Sequence, residues 1–186
     1  STYMRNQPGN QLYRIASGAS DYDFHWTETL MNRVGPGRMD GLSLHYYTCV
    51  SWTGSKGSAT DFDNDVYYST LGKALEIEPV LRRHISLMDE KDPKKKVGLI
   101  VDEWGTWFDE EPGSVPGHLY QQNTMRDAMV AALTLNVFHK YSDRVRMANI
   151  AQLANVLQAM WLTKGDKLVL TPTYYVFKMY RPHQDA

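Results

Sequence analysis

The sequence predicts an α/β protein of four βα units arranged around a parallel sheet. Three observations carry this. Four short apolar runs alternate with longer stretches of helical periodicity, in the order β-α-β-α-β-α-β-α. The third run, Val97 to Val101, is apolar throughout, as a strand covered on both faces should be. Neither an internal repeat nor a low-complexity tract interrupts the alternation, so right-handed crossovers between neighbouring parallel strands are expected. The 186 residues suffice for one sizeable core. A closed (β/α)₈ barrel needs about 200 residues or more and eight units. Four units make either an open four-stranded layer or part of a larger barrel.

Each element has its own signal. Residues 13–19 form the first expected strand, closing in Ser17-Gly18-Ala19-Ser20. Residues 21–33 follow as a helix, with Trp26 and Leu30 one turn apart and Asp21 or Asp23 as N-cap. Gly35-Pro36-Gly37 stops it. The second strand is 39–47. After it comes a long loop, 48–64, rich in Gly, Ser and Thr; loops of that length are usually functional or mobile. Residues 65–89 carry apolar side chains at three- and four-residue spacing, with Pro79 expected to kink the helix or start a second one. The third strand is 96–103, and the loop 104–117 contains the turn pairs Pro112-Gly113 and Pro116-Gly117. A helix over 119–140 is apolar nearly all round in its later half and should be deeply buried. Residues 144–150 form the fourth strand. A short helical stretch over 153–161 and a small strand at 168–170 follow. Thr171-Pro172 then opens a last helix to about Arg181, with Pro at its first position.

Composition removes several classes of function. Twenty basic and 21 acidic residues give a net charge of −1, which provides no footprint for nucleic acid or an anionic membrane. Lys94-Lys95-Lys96 is expected to be a solvated loop. Cys49 is the single cysteine, so neither an internal disulfide nor a zinc–thiolate cluster can form. No apolar run approaches the roughly 18 residues of a spanning helix. The polar start, Ser1 to Asn10, is not a signal peptide, and any such signal would lie outside this chain. His25, His84, His118, His139 and His183 lack metal-ligand spacing, and neither a phosphate loop nor a nucleophile elbow occurs, so no metal or cofactor is expected.

The residues suited to chemistry lie at strand ends. The third strand closes in Asp102-Glu103-Trp104-Gly105-Thr106-Trp107. An acid at the end of a buried strand is costly without a partner or a task. Active sites of α/β barrels and open α/β sheets lie at that end. A carboxylate beside indole rings suits sugar cleavage, since rings stack on the apolar face of a sugar while the carboxylate meets its anomeric carbon. The alternative is an acidic pair capping a loop beside two core tryptophans. At the second strand end, alternation puts His45 and Tyr47 on one face and Tyr46 on the other, although His45 could equally be a core histidine. The same rule makes Asp102 and Glu103 diverge, one toward the site and the other toward backbone or a basic neighbour. The fourth strand end offers Asn149 to Gln152, of which Gln152 could merely cap a turn. Asp109-Glu110-Glu111 is expected to be a solvated acidic face.

Taken together, these segments are similar to glycoside hydrolase family 51 α-L-arabinofuranosidases. Asp102 to Trp107 resembles the family's nucleophile motif. Ser43-Leu44-His45-Tyr46-Tyr47 resembles its sixth-strand motif, and the segment from Arg144 to Asn155 resembles its eighth strand. Tyr120-Gln121-Gln122-Asn123-Thr124 and the stretch from Leu170 to Tyr174 also fit. The resemblance runs in order from about Tyr13 to the C-terminus. It implies Glu103 as nucleophile, His45 and Tyr47 orienting it and touching the sugar, Trp107 walling the pocket, and Gln152 binding arabinose hydroxyls. Gly105 departs from members that carry Asn.

The resemblance further implies a retaining hydrolase that releases terminal α-L-arabinofuranosyl residues from arabinan, arabinoxylan or their oligosaccharides. The family's barrel carries an appended β-sandwich, which is expected to be absent from these 186 residues. Its acid/base glutamate lies in a Gly-Asn-Glu motif at the fourth strand, whereas the one Gly-Asn here, Gly9-Asn10, is followed by Gln11. By this resemblance residues 1–186 are expected to be a partial catalytic domain, the C-terminal half-barrel of strands 5–8, beginning just after that strand. Its expected partners are the N-terminal half and, in the complete enzyme, further copies of itself. Alone, the chain is expected to be inactive on natural glycosides, since general acid help is worth about 10²–10⁴-fold. An inactive carbohydrate-binding relic, or a related retaining β-xylosidase or endoglucanase, are the other readings. The compartment, cytoplasmic or periplasmic, stays open.

Overall fold

The computed structural model describes residues 4–184. Its main sheet has four parallel strands in chain order: β1 (Ile15–Ser20), β2 (Gly41–Thr48), β3 (Gly98–Thr106) and β4 (Val145–Ile150). The helices α1 (Phe24–Arg33), α2 (Asn64–Leu75), α3 (Ile77–Lys91) and α4 (Met125–Lys140) supply the crossovers. A two-stranded antiparallel hairpin, β5 (Trp161–Lys164) and β6 (Lys167–Leu170), precedes α5 (Pro172–Tyr180) and a 3₁₀ turn, Arg181–His183. Among the described residues no helix is long and apolar enough to cross a membrane.

Alternation along the strands separates two faces. Leu42, Leu44 and Tyr46 of β2, with Leu99, Val101 and Trp104 of β3, join one core with Met31, Ile77, Leu81, Met88, Ala131 and Phe138 from the helices. The indole of Trp104 is 1 % exposed and packs against Phe138 and Phe177, with ring centroids 5.2 and 6.0 Å away. Trp104 is thus a core residue, on the opposite face from the carboxylates, and does not wall the site. The other face keeps Tyr13, Ile15 and Met147 exposed. Strands in sequential order, with the helical core on one side only, form a singly wound layer rather than a doubly wound one.

Several boundaries shift for identifiable reasons. The helix expected over 65–89 is two helices that part at Glu76, and Pro79 falls in the first turn of α3, where its missing N–H would have no acceptor. The helix expected from residue 119 starts at Met125. Thr124 and Asp127 form a capping box there, and Leu119 has a positive φ of 55°. No helix forms over 153–161. Asn155 and Leu157 adopt φ of 60° and 49°, and the Leu157 N–H donates to Leu119 O instead of to its own turn. The small strand expected at 168–170 has a partner, β5, across a Gly165-Asp166 turn in which Gly165 has φ 61°. The last helix opens as expected, with the Thr171 side chain accepting from Tyr174 N and Pro172 at the first turn.

The strands are held in register at the end that matters. Ser20 pairs with His45, and His45 with Glu103, so the three stand level across β1, β2 and β3. Gly18 permits the closest of these approaches: a Cβ there would lie 1.5 Å from the carbonyl oxygen of Ser43.

Candidate active site

From Ser43 to His45 the second strand takes two steps, while its partner takes three, from Ile100 to Glu103. The extra residue on β3 is a bulge, which breaks the strict alternation of side chains. Asp102 and Glu103 consequently converge on His45 instead of diverging, as simple alternation would have it. His45 Nε2 stands 3.3 Å from Asp102 Oδ1, and its Nδ1 stands 3.5 Å from Glu103 Oε2. Asp102 also accepts from Ser43 Oγ at 2.6 Å, so its neighbours are a hydroxyl and an imidazole rather than backbone. Tyr47 Oη donates to Glu103 Oε2 at 2.8 Å. Tyr46 points the other way and donates to the carbonyl of Lys73 at 2.7 Å.

A cavity of about 410 Å³ opens over this cluster. One wall is aromatic. Trp107 meets Tyr47 edge-on at 5.0 Å and Trp52 at 5.7 Å, while Lys56 Nζ stands 5.7 Å from the Trp107 ring. The other wall is polar and includes His45, Glu103, Ser20 and Asp21. Burial raises the Tyr47 hydroxyl well above the ordinary phenol range, and donation to Glu103 raises it further, so Tyr47 stays a proton donor. Burial also raises the Asp21 carboxyl, with Lys73 and His45 opposing that rise.

The structure thus brings His45, Tyr47, Glu103 and Trp107 together. It leaves Gln152 apart. That residue is exposed just beyond β4, joined to Ala151 by a cis peptide, and does not line the cavity. Trp52 and Asp21 were not singled out as site residues from sequence. A lone tryptophan in the polar 48–64 loop was the available signal for the first. Asp21 stood only as a possible N-cap, a role filled by Asp23, which accepts from Trp26 N at 3.1 Å.

Hydrogen bonds from one loop to another hold the aromatic wall. Asp109 accepts from Ser55 Oγ and from Lys56 N, the latter at 2.9 Å, and these bonds hold its carboxyl below the ordinary range. Glu110 accepts from Leu119 N at 2.6 Å and Glu111 from Gln122 N at 3.2 Å, so the acidic trio is loop scaffolding and not a solvated face. The Arg126 guanidinium lies 3.8 Å from the centroids of both Phe62 and Phe108 and donates to Ser58 O at 2.9 Å. Under the site, Thr106 Oγ1 donates to Asp127 at 2.6 Å, Gln158 accepts from Thr106 N at 2.8 Å, and Gln121 accepts from Phe108 N at 2.9 Å. Gly105 has φ 143°, and an added Cβ would lie 3.2 Å from Gln158, so a side chain there would be strained. Among the described residues no group of three or more His, Cys, Asp or Glu is placed to hold a metal ion.

Residues 102–186 match the family described as the α-L-arabinofuranosidase C-terminal domain. The whole chain is 68 % identical to an intracellular exo-α-L-arabinofuranosidase of Bacteroides ovatus, covering 36 % of that protein. It is 29 % identical over 164 residues to an intracellular exo-α-(1→5)-L-arabinofuranosidase of Halalkalibacterium halodurans, covering 82 % of this chain and 30 % of that one. Its structure superposes on the GH51 arabinofuranosidase from Xanthomonas axonopodis pv. citri with a TM-score of 0.96 and 50 % identity, covering all of this chain and 37 % of the other. The arabinose complex of the Thermotoga maritima α-L-arabinofuranosidase gives a TM-score of 0.71 at 29 % identity, covering 91 % of this chain and 31 % of that one. The chain spans about a third of the length of the curated relatives it matches.

Proposed function

The chain is a relative of the family 51 α-L-arabinofuranosidases, and on that premise we propose that it carries the nucleophile of a retaining enzyme that releases terminal α-L-arabinofuranosyl residues. The observation that supports this best is the pair of contacts on Glu103, a phenol at 2.8 Å and an imidazole at 3.5 Å, at the foot of an indole-walled cavity. The two contacts aim the carboxylate. An arabinofuranosyl unit would lay its apolar face on Trp107. A Glu103 oxygen would then attack the anomeric carbon, forming a glycosyl ester as the bond to the leaving oxygen breaks. Gln152, exposed here, would take part in sugar binding only if it meets the substrate outside the cavity described.

The second carboxyl group, expected about 5–5.5 Å from the first in a retaining site, would come from a glutamate outside these 186 residues. In this reading residues 1–186 are the C-terminal half of a (β/α)₈ barrel. The singly wound layer, the exposed Tyr13, Ile15 and Met147 on the face away from the helices, and the unpaired outer edges of β1 and β4 support it. The remaining half would cover that face, and the finished enzyme would assemble as a homo-oligomer acting on arabinan- or arabinoxylan-type chains. Two relatives bear the word intracellular in their names, and the same compartment is proposed here.

Treating the complete polypeptide with a mechanism-based arabinofuranosyl inactivator tests the proposal. Peptide mass mapping should find one sugar ester, on Glu103, and Glu103→Gln should neither label nor turn over. A label elsewhere, or an active Glu103→Gln variant, would end this assignment. Hydrolysis of xylopyranosides but not arabinofuranosides would move the chain to the related retaining clan.

A further inference from the structure

Asp21 is a cavity-lining carboxylate to which the proposed chemistry gives no task. Its backbone has φ 46°, in the left-handed region that glycine adopts freely and asparagine or aspartate adopts occasionally. Three hydrogen bonds hold it there. Asp21 N donates to His45 O at 2.9 Å, Asp23 N donates to Ser20 O at 3.1 Å, and His84 Nε2 bonds Asp21 O at 2.8 Å. His84 comes from α3 and is completely buried, and burial keeps its ring below the ordinary imidazole pKa. The neutral ring therefore carries its proton on Nε2, while Nδ1 accepts from Thr27 Oγ1 at 2.8 Å.

Neither the turn nor the helix cap accounts for the carboxylate, since glycine would serve the turn and Asp23 already caps α1. Lys73 of α2 and His45 of β2 favour its charged form, and the titratable Tyr22, Tyr46 and Cys49 also stand near it. Among the described residues none donates a hydrogen bond to its side chain. A half-buried carboxylate facing a cavity without a donor is an acceptor awaiting one. We infer that Asp21 is a sugar-hydroxyl acceptor on the β1 side of the cavity, facing the indole wall, and that His84 is its positioning residue.

Asp21 follows Ser20, which is level with His45 and, through it, with Glu103. Two strand spacings put its backbone about 10 Å from that of the nucleophile. It would meet a hydroxyl remote from the anomeric carbon, in an arabinosyl unit or its neighbour. A contact that acts alike on the ground and transition states shows in KM and not in kcat, and that is the behaviour expected of this one. The inference rests on the arabinofuranosidase reading.

Steady-state kinetics of the complete polypeptide on α-1,5-linked arabinotriose tests it. Asp21→Gly, which suits the backbone, and Asp21→Asn should each raise KM roughly 10- to 100-fold, the range of a hydrogen bond to a charged group, with kcat nearly unchanged. The Tm of Asp21→Gly should hold or rise. His84→Gln should raise KM in the parent and add little in the Asp21→Gly background. An unaltered KM in Asp21→Gly, while the parent hydrolyses arabinotriose, overturns the inference and spares the proposed function. A parent with no arabinofuranosidase activity ends both.

Discussion

At Glu103 the decisive neighbours are one phenol and one imidazole. Tyr47 combines two roles: its hydroxyl donates to Glu103, and its ring packs edge-on against Trp107. Tyr47→Phe separates them, keeping the ring and deleting the donor. A hydrogen bond to a charged group is worth about 1.5–3 kcal/mol. The complete enzyme carrying Tyr47→Phe should therefore lose about 10- to 100-fold in kcat, with labelling by the inactivator slowed alongside. Unaltered kcat would mean that His45 alone aims the carboxylate. The same residues show what alternation can and cannot say. It separates Tyr47 from Tyr46 correctly, because β2 is regular there. It fails at Asp102 and Glu103, because the bulge adds a residue that a one-dimensional pattern does not display.

Between elements, the site depends on how closely β1 and β2 approach. Gly18 sits where any side chain would collide with the backbone of Ser43, the residue that bonds Asp102. Backbone cannot swing aside as a side-chain tip can. Gly18→Ala should cost about 1–3 kcal/mol or more, as overpacking does, and should displace His45 relative to Glu103. Urea unfolding measures the first effect, and the inactivator's labelling rate measures the second. A stable variant with parental labelling would show that β1 can slide without disturbing the site. The loops behave differently from the strands. The segment 153–160 turns back on its own neighbourhood, with Asn155 N on Trp161 O and Met160 N on Leu153 O, and is tied to the segment 119–124 by Leu157 N on Leu119 O. Their apolar residues resemble helix faces, yet their backbone bonds do not follow the four-residue step of a helix, which apolar spacing alone does not display.

For the molecule as a whole, a buried ion cluster at the opposite end of the sheet sets the response to acid. Arg144 and Asp92 are 0 % and 2 % exposed, and they meet at 2.9 Å. Burial pushes the Asp92 carboxyl up. The N–H groups of Val97 and Lys96 and the guanidinium of Arg144 outweigh that effect and hold it below the ordinary range. A depressed native pKa contributes stability that is fully present above the unfolded value, about 3.9 for Asp, and is lost as pH falls through the native one. Asp89 and the carbonyls of Val97 and Asp92 would still hold Arg144, so Asp92→Asn should lower stability at pH 7 by about 1.5–3 kcal/mol, the range of a hydrogen bond to a charged group. The gap to the parent should narrow below about pH 4, where the parent's carboxylate protonates too. Denaturation curves from pH 7 to pH 3 measure both. A gap independent of pH would assign the loss to packing instead.

The sequence by itself determined the four βα units, the parallel sheet, the strand-end cluster of His45, Tyr47, Glu103 and Trp107, and the family resemblance. Each of these is written in short-range periodicity or in motifs a few residues long. Only the tertiary structure decided that Trp104 belongs to the core, that Asp102 shares His45 with Glu103, that Trp52 and Asp21 enter the cavity, and that Asp109, Glu110 and Glu111 brace loops. Those outcomes depend on the bulge in β3, on loop-to-loop hydrogen bonds and on the packing of residues distant in the chain. All of them form between elements and leave no pattern within any one of them.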